Sequence, residues 1–271
     1  MYLGVDIGGT KTLVAVLDED AKIVEQTKFE TPQDYQEFLR KLAEAVSSLN
    51  TKSFTAAGVA VPGRLDREKG TVIGLGNLPW SNEPIRKDCE QVADCPVVIE
   101  NDANLAGLSE AQLHKDARSV LYFTISTGIG SAFVYDQVLE PALLNSEGGH
   151  IMLPHDGKVQ DWEAFASGKA LYERYGKKAA DIDDPAIWQE IVDTWLLGFH
   201  AHMAVLQPDL IIIGGSIGTH FAKYSDMLVR GLQQLNEVLV PTPPIVQAER
   251  PEEAVVYGCY DLAKQTYGSP A

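Results

Sequence analysis

Asp6-Ile7-Gly8-Gly9-Thr10-Lys11-Thr12 leaves an apolar run, Tyr2–Ile7, at the start of the chain. The run reads as a core strand and the heptapeptide as the turn that follows it. Gly8 and Gly9 let backbone amides approach a phosphate closely, where a Cβ would obstruct them. Thr10 adds a hydroxyl donor, with Lys11 beside it in the turn. Asp6, at the strand end, is of the right kind to hold Mg²⁺ directly or through water. A Gly-Gly pair alone is an ordinary hairpin turn. The full heptapeptide points instead to a phosphate site.

Two later turns share this construction. Thr127-Gly128-Ile129-Gly130-Ser131 joins the β-rich runs Val120–Ser126 and Ser131–Tyr135. It lacks the G-K-[ST] ending of a P-loop, and Phe133 stands where a dinucleotide fingerprint has its third glycine. Gly214-Gly215-Ser216 ends the apolar run Leu210–Ile213. Paired glycines there suit either a flat ring such as adenine lying on the backbone or a tight strand-to-helix turn.

Around these turns, strands alternate with helices. Leu13–Leu17, Ile23–Phe29, Ala56–Val61 and Val97–Glu100 read as strands. Tyr35, Phe38, Leu39, Leu42, Val46 and Leu49 recur at helical spacing. Pro84–Val92, Asp102–Leu113 and Pro251–Thr266 are expected helices, with Asn101 or Asp102 as the cap of the second. The longest expected helix is Pro185–Leu206, capped by Asp184, with a core stripe of Ile187, Ile191, Trp195, Phe199 and Met203. Alternation of this kind indicates an α/β fold. Tyr2–Leu17 and Val120–Tyr135 echo each other as strand, glycine turn and strand, which suggests two related lobes.

With 271 residues, the chain is long enough for two domains. Its hydrophobic content of 45% with 22% charged residues is that of a globular protein. Lys and Arg number 22 against 38 Asp and Glu, a formal charge of −16, which disfavours nucleic-acid partners. No apolar run approaches the ~20 residues that a bilayer crossing needs. The first residues lack a basic n-region, and the three cysteines form no C-x-x-C pair. A cytoplasmic location is the simplest expectation.

The three glycine turns resemble those of the actin-like, hexokinase-type ATPase superfamily. Within it the chain resembles the ROK family of sugar kinases and repressors. The motifs that carry the resemblance are Val61-Pro62-Gly63, Asn77-Leu78-Pro79-Trp80, Glu100-Asn101-Asp102-Ala103-Asn104, Glu147-Gly148-Gly149-His150 and Trp162-Glu163-Ala164-Phe165-Ala166-Ser167-Gly168. The resemblance runs from Asp6 to about Gly258. It implies an α/β, two-lobed actin-like (ribonuclease H-like) fold with a cleft between the lobes. Residues 1–102 would form the smaller lobe, with the last helix, 255–271, packing back on it, and 103–254 the larger. It also implies Asp102 as the base that takes the proton from a sugar hydroxyl. Gly63, Asn77, Asn101, Glu147, His150 and Glu163 would contact the sugar. Asp6, Gly8, Gly9, Thr10, Lys11, Thr127, Gly128, Gly214 and Gly215 would hold ATP and Mg²⁺. Phosphoryl transfer needs this division of labour: a positioned hydroxyl, a carboxylate to orient it and a metal-bound phosphate. Carboxylates and amides supply acceptors and donors to match a ring of hydroxyls, and Trp80 and Trp162 are candidates to cover an apolar sugar face.

Many members of the family bind structural zinc through the E-x-G-H histidine and a following cysteine cluster. Ile151–Trp162 contains no cysteine, so no zinc is expected, and His155 and Asp156 are too sparse to replace a thiolate site. The repressors of the family carry a helix-turn-helix domain ahead of the kinase-like body. Only five residues precede Asp6 in this chain, so a DNA-binding regulator is disfavoured. A non-catalytic sugar sensor is disfavoured by the presence of Asp102. A polyphosphate donor would call for a basic track that the composition does not suggest. The expected reaction is ATP plus hexose giving ADP plus hexose 6-phosphate, with glucose first and N-acetylhexosamines, fructose and allose behind it. Relatives are often homodimers.

Overall fold

A computed structural model of the chain describes residues 1–76, 78–236, 238–250 and 253–268. The chain divides into two compact units, Met1–Ser109 with Glu253–Ala271, and Glu110–Glu252. The division falls between Ser109 and Glu110, inside a helix.

The first unit is built on β1 (Tyr2–Ile7), β2 (Lys11–Leu17), β3 (Ile23–Glu30), α1 (Tyr35–Ser48), β4 (Ala56–Val61), the hairpin β5 (Arg64–Asp66) and β6 (Thr71–Gly74), α2 (Ile85–Ala93), β7 (Val97–Asn101) and α3 (Asp102–Ala111). Its five-stranded sheet has the order β3-β2-β1-β4-β7. β1 to β3 form an antiparallel meander, and β4 and β7 continue the sheet parallel to β1. β4 is buried throughout and is correspondingly a continuous apolar run, whereas edge strand β3 alternates in exposure. Asp34 caps α1 by accepting from the Glu37 amide at 2.8 Å. The α1 stripe of Tyr35, Phe38, Leu42 and Ala45 then packs into the core of this sheet. Trp80 joins that core: its ring lies 4.6 Å from Phe38, and its Nε1 donates to the Gln33 carbonyl at 2.8 Å. A sugar-facing role for Trp80 is thereby corrected.

The second unit opens with β8 (Ser119–Ile125), β9 (Ile129–Tyr135) and β10 (Val138–Leu139), then the hairpin β11 (Met152–His155) and β12 (Lys158–Asp161). It continues with α4 (Trp162–Ala166), α5 (Gly168–Tyr175), α6 (Pro185–Leu206), β13 (Leu210–Gly214), α7 (Gly215–Gly218), α8 (Ser225–Asn236) and β14 (Ile245–Gln247). The sheet order is β10-β9-β8-β13-β14. Two antiparallel pairs are followed by two parallel ones, the same succession as in the first sheet. The echo between the two strand–turn–strand segments is therefore a repeated sheet topology.

α6 begins and ends where its cap and periodicity place it, with Asp184 accepting from Ala186 N at 2.9 Å. Its buried face is wider than the expected stripe: Trp188, Val192 and Thr194 are buried with Ile191, Trp195, Phe199 and Met203, while Ile187 is only half-buried. Trp162 is fully buried, edge-on to Phe123 and Phe199, with its Nε1 donating to Thr194 O at 3.1 Å. It belongs to the core rather than to a sugar face. Among the described residues no helix is long and apolar enough to cross a membrane.

α9 (Ala254–Tyr267) returns to the first unit and packs on β1 and β4. Pro251, where a helix start was expected, lies outside the described residues. The helix comes down on glycine. A Cβ at Gly258 would stand 2.0 Å from the Leu105 carbonyl of α3, and one at Gly58 would stand 2.1 Å from the Cys259 carbonyl. Both obstacles are backbone, which cannot rotate away. Gly258→Ala is expected to force α9 off α3 and to cost about 1–3 kcal/mol. Urea unfolding checks this: a midpoint equal to that of the parent chain would contradict the packing described.

Candidate active site

In the first unit the register sets the site. β1 pairs Asp6 with Ala60 of β4, and β4 pairs Ala60 with Glu100 of β7. The three parallel strands therefore end together, where α/β sheets collect ligands. β7 passes directly into α3, so Asn101 and Asp102 occupy the junction. Asn101 caps α3: its Oδ1 accepts from Ala103 N at 2.9 Å, and its Nδ2 donates to the Gly63 carbonyl at 3.2 Å. Asp102 Oδ1 also accepts from Ala103 N, at 2.9 Å. Gly63 itself has φ +96, which only glycine adopts freely, so the turn after β4 is bent back toward β6. Asn77 lies outside the described residues.

The turn after β1 is held from behind. Gly8 N donates to Lys11 O at 3.0 Å, Thr31 N to Thr10 O at 3.0 Å, and Thr31 Oγ1 to Gly8 O at 2.8 Å. Thr10 and Lys11 are exposed, and Gly8 and Gly9 are half-buried. Burial first and the charge of Asp102 second, opposed by Lys28, together hold the Asp6 carboxyl up at about 7. Two carboxylates thus act on one another with one opposing cation, charges of the kind a divalent ion neutralises. No cluster of three or more potential ligands occurs among the described residues. Mg²⁺ is typically bound by one or two carboxylates with substrate phosphates and water completing its shell, and Asp6 is a ligand of that kind.

Beneath the junction lies a pair that sequence reading left without a role. Glu100 is 3% exposed. It accepts from Arg67 Nε at 2.6 Å and from Arg67 Nη2, from Asn101 N at 2.6 Å and from Asn104 Nδ2 at 2.9 Å. Arg67 and Glu100 are 33 positions apart, and Arg67 stands in a run of four charged residues, Asp66 to Lys69, so nothing local marks the pairing.

In the second unit, three of the predicted segments meet at Ile129. Glu163 Oε2 accepts from Ile129 N at 2.6 Å. The Glu147–His150 turn packs against the same residue, since a Cβ at Gly149 would lie 2.2 Å from Ile129 O. A Cβ at Gly128 would lie 2.3 Å from Glu163 Oε2, so this glycine makes room for the carboxylate. Glu163 is half-buried, and Glu147 and His150 are exposed. His150 Nδ1 stands 3.6 Å from Asp161 Oδ1.

The Thr127 and Gly214 turns also meet, with Ser216 Oγ donating to Ser126 Oγ at 3.3 Å. Both glycines of the second turn are packed on β8. Added Cβ atoms would lie 2.3 Å from Tyr122 Oη at Gly214 and 2.6 Å from Ile125 O at Gly215, where φ is +76. The turn is a tight strand-to-helix passage. The residues after it, Ser216 and Ile217, line a cavity of about 400 Å³ together with Thr127, Leu171, Tyr172 and His220. Its size and apolar walls suit a purine. Leu171 and Tyr172, on α5, carry no motif, and sequence reading missed them.

The ROK family model matches residues 2–266. The chain belongs to the ROK family. A glucokinase of Streptomyces coelicolor is 34% identical over 192 residues, which are 67% of this chain and 60% of that protein; the match therefore spans well under two thirds of the relative's length. An N-acetyl-D-glucosamine kinase of Vibrio atlanticus is 29% identical over 95% of this chain and 98% of its own. A ROK glucokinase of Streptomyces griseus, solved with glucose and AMPPNP, superposes with a TM-score of 0.80 at 24% identity, covering 97% of this chain and 99% of the other. The fold is accordingly the α/β, two-lobed actin-like ATPase fold of ROK proteins, with one mixed sheet in each unit.

In this ROK chain the raised Asp6 carboxyl has a measurable sign. The folded state favours the protonated acid. The stability this group contributes is complete below the ordinary carboxyl value of 3.8 and is lost as pH rises through about 7. A ¹³C carboxyl titration in the absence of metal is expected to place the Asp6 midpoint near 7. Asp102→Asn removes a neighbouring charge and is expected to lower that midpoint. A parent midpoint at the ordinary value, or no response to the substitution, would contradict the coupling.

Proposed function

We propose that the chain is an ATP-dependent sugar kinase in which Asp102 is the general base and a hexose, with glucose the leading candidate, is the acceptor. The observation that carries the proposal is the position of Asp102. It starts α3 at the end of a parallel strand, on a junction fixed by Asn101 and Glu100, in the same unit as the Asp6 carboxyl, whose charged form the charge of Asp102 opposes.

The residues then divide as follows. Gly63, Asn77, Asn101 and Asp102 of the first unit and Glu147, His150 and Glu163 of the second are assigned to the sugar. Carboxylates accept from its hydroxyls, and amides donate and accept. Asp102 orients the attacking hydroxyl, usually the 6-OH, and receives its proton as the oxygen bonds to the γ-phosphorus of ATP and the bond to the ADP oxygen breaks. The Asp6–Lys11 turn (Asp6, Gly8, Gly9, Thr10, Lys11) and the turns at Thr127–Gly128 and Gly214–Gly215 are assigned to ATP, whose base suits the cavity beside Ile217. Mg²⁺ held by Asp6, directly or through water, supplies neutralising charge to the phosphates. Glu163 has a second task in this reading. Through Ile129 N it ties a sugar contact to the phosphate-facing turn, which keeps the two substrates' residues in fixed relation.

The choice of sugar is finer than the family. The likeness to an N-acetyl-D-glucosamine kinase, which extends over 95% of the chain, favours an N-acetylhexosamine as the second candidate, ahead of fructose and allose. Asp102→Asn keeps the size and hydrogen bonding of the side chain but not its basicity. It is expected to bind sugar and to lose about 10²–10⁴-fold in turnover. A coupled ADP-release assay over a panel of hexoses, with sugar affinity measured by calorimetry, tests this. Near-normal kcat in the variant would remove the base from the mechanism.

A further inference from the structure

We infer that Arg67 and Glu100 form a positioning clamp, a buried ion pair that acts through Asn101 to set Asp102 for attack; the inference rests on the reading of Asp102 as the base.

An ionised carboxylate as buried as Glu100 is costly unless it is paired and fully hydrogen-bonded. Glu100 meets both conditions, and its two sides do different things. On one side the guanidinium of Arg67 grips it as a fork, Nε on Oε2 and Nη2 on Oε1. On the other, Oε1 accepts from Asn101 N, immediately before Asp102, and from Asn104 Nδ2, one step along α3. The carboxylate therefore links the loop between β5 and β6 to the peptide that carries the base.

Arg67 is itself anchored. The carbonyls of Arg67 and Glu68 accept from Arg86 Nη1 at 3.0 Å and Nη2 at 2.9 Å, so α2 fixes the backbone from which the fork projects. Of three consecutive charged residues in this loop, Glu68 and Lys69 are exposed, while the Arg67 side chain is 22% exposed and turned inward. Beyond Glu100 the network goes on through Asn101 Nδ2 to the Gly63 carbonyl. A continuous set of directional bonds thus runs from α2 through Arg67, Glu100 and Asn101 to Asp102 and Gly63, both assigned to the sugar.

Stability alone gives little reason for such a pair, because well-packed apolar residues of similar volume often stabilise a protein as much or more. What an apolar pair cannot do is fix the angle of the Glu100–Asn101 peptide, one residue before Asp102. Displacing a catalytic group by about 1 Å can cost on the order of 10²-fold in rate.

The test uses the full chain with ATP, Mg²⁺ and its best hexose, at a temperature where each variant is folded by circular dichroism, with rates expressed per folded molecule. Arg67→Met and Glu100→Gln are expected to lower kcat by about 10²-fold while KM for ATP stays within about twofold of the parent. Arg67→Lys keeps a compensating charge but not the fork, and is expected to fall between, near a tenfold loss. The double variant Arg67→Met/Glu100→Gln is expected to regain most of kcat. In it the Gln carbonyl oxygen can still accept from Asn101 and Asn104, and its amide no longer faces guanidinium donors. If Arg67→Met does not fold, Arg67→Lys and the double variant carry the same comparison.

The clamp is overturned if the single variants keep kcat within about threefold of the parent, if KM for ATP rises in step with the fall in kcat, or if the double variant is no better than the singles. Asp102→Asn in the same series separates the levels. A dead Asp102→Asn beside unimpaired Arg67 and Glu100 variants removes the clamp alone. An active Asp102→Asn, or a parent chain that phosphorylates no sugar, removes the base assignment and the clamp with it.

Discussion

The parallel pairing of β1, β4 and β7 is the constraint on which the first unit depends. Asp6, Ala60 and Glu100 stand opposite one another across three strands. Because side chains alternate faces with a period of two, a one-residue slip in either pairing would send Asp6 or Glu100 to the other face of the sheet. The register is held by burial on both sides: the core under α1 on one, and α9 resting on Gly58 of β4 on the other. The second unit repeats the scheme with β8 and β13, whose ends carry the Thr127 and Gly214 turns. Each sheet, of the same topology, thus presents strand ends with polar or glycine-rich continuations, those of β1, β4 and β7 in the first unit and of β8 and β13 in the second.

On this frame the first unit carries an unusual electrostatic load. Asp6 is held in a form that favours the proton, partly because Asp102 is near. A few residues away Glu100 is fully compensated by Arg67 and by donors from its own junction. The contrast is functional in a kinase reading. Asp6 and Asp102, whose charges oppose one another, are placed to receive a cation and a proton from substrates, while the paired Glu100 keeps the geometry in which they are received. The second unit concentrates its polar economy on one residue, Ile129, whose N–H binds Glu163 and whose carbonyl packs on Gly149.

Much of the fold was legible because its signals are local. Asp184 and Pro185 start α6, the Tyr2–Ile7 run is a strand, and the separators between the first three strands are turns, all within windows of a few residues. The family motifs likewise picked out Asn101, Asp102 and Glu163. What escaped is what packing decides. Trp80 and Trp162 read as candidate sugar platforms, yet each is core, with its indole N–H satisfied by a carbonyl. Gly128 read as a phosphate glycine, and packing adds a second reason for a glycine there, the approach of Glu163. Arg67 is one of four consecutive charged residues and carries no motif, and its partner 33 residues away distinguishes it. The purine-sized cavity drew Leu171 and Tyr172 from a helix without any motif.

Phosphoryl transfer to a sugar is observed directly by ³¹P NMR of the parent chain with ATP, Mg²⁺ and glucose. The γ-phosphate resonance of ATP is expected to decline while those of ADP and a sugar phosphate monoester grow in equal amounts, with no change when sugar is omitted. Persistence of intact ATP with glucose and with every other hexose supplied, or release of inorganic phosphate at the same rate whether or not sugar is present, would contradict it.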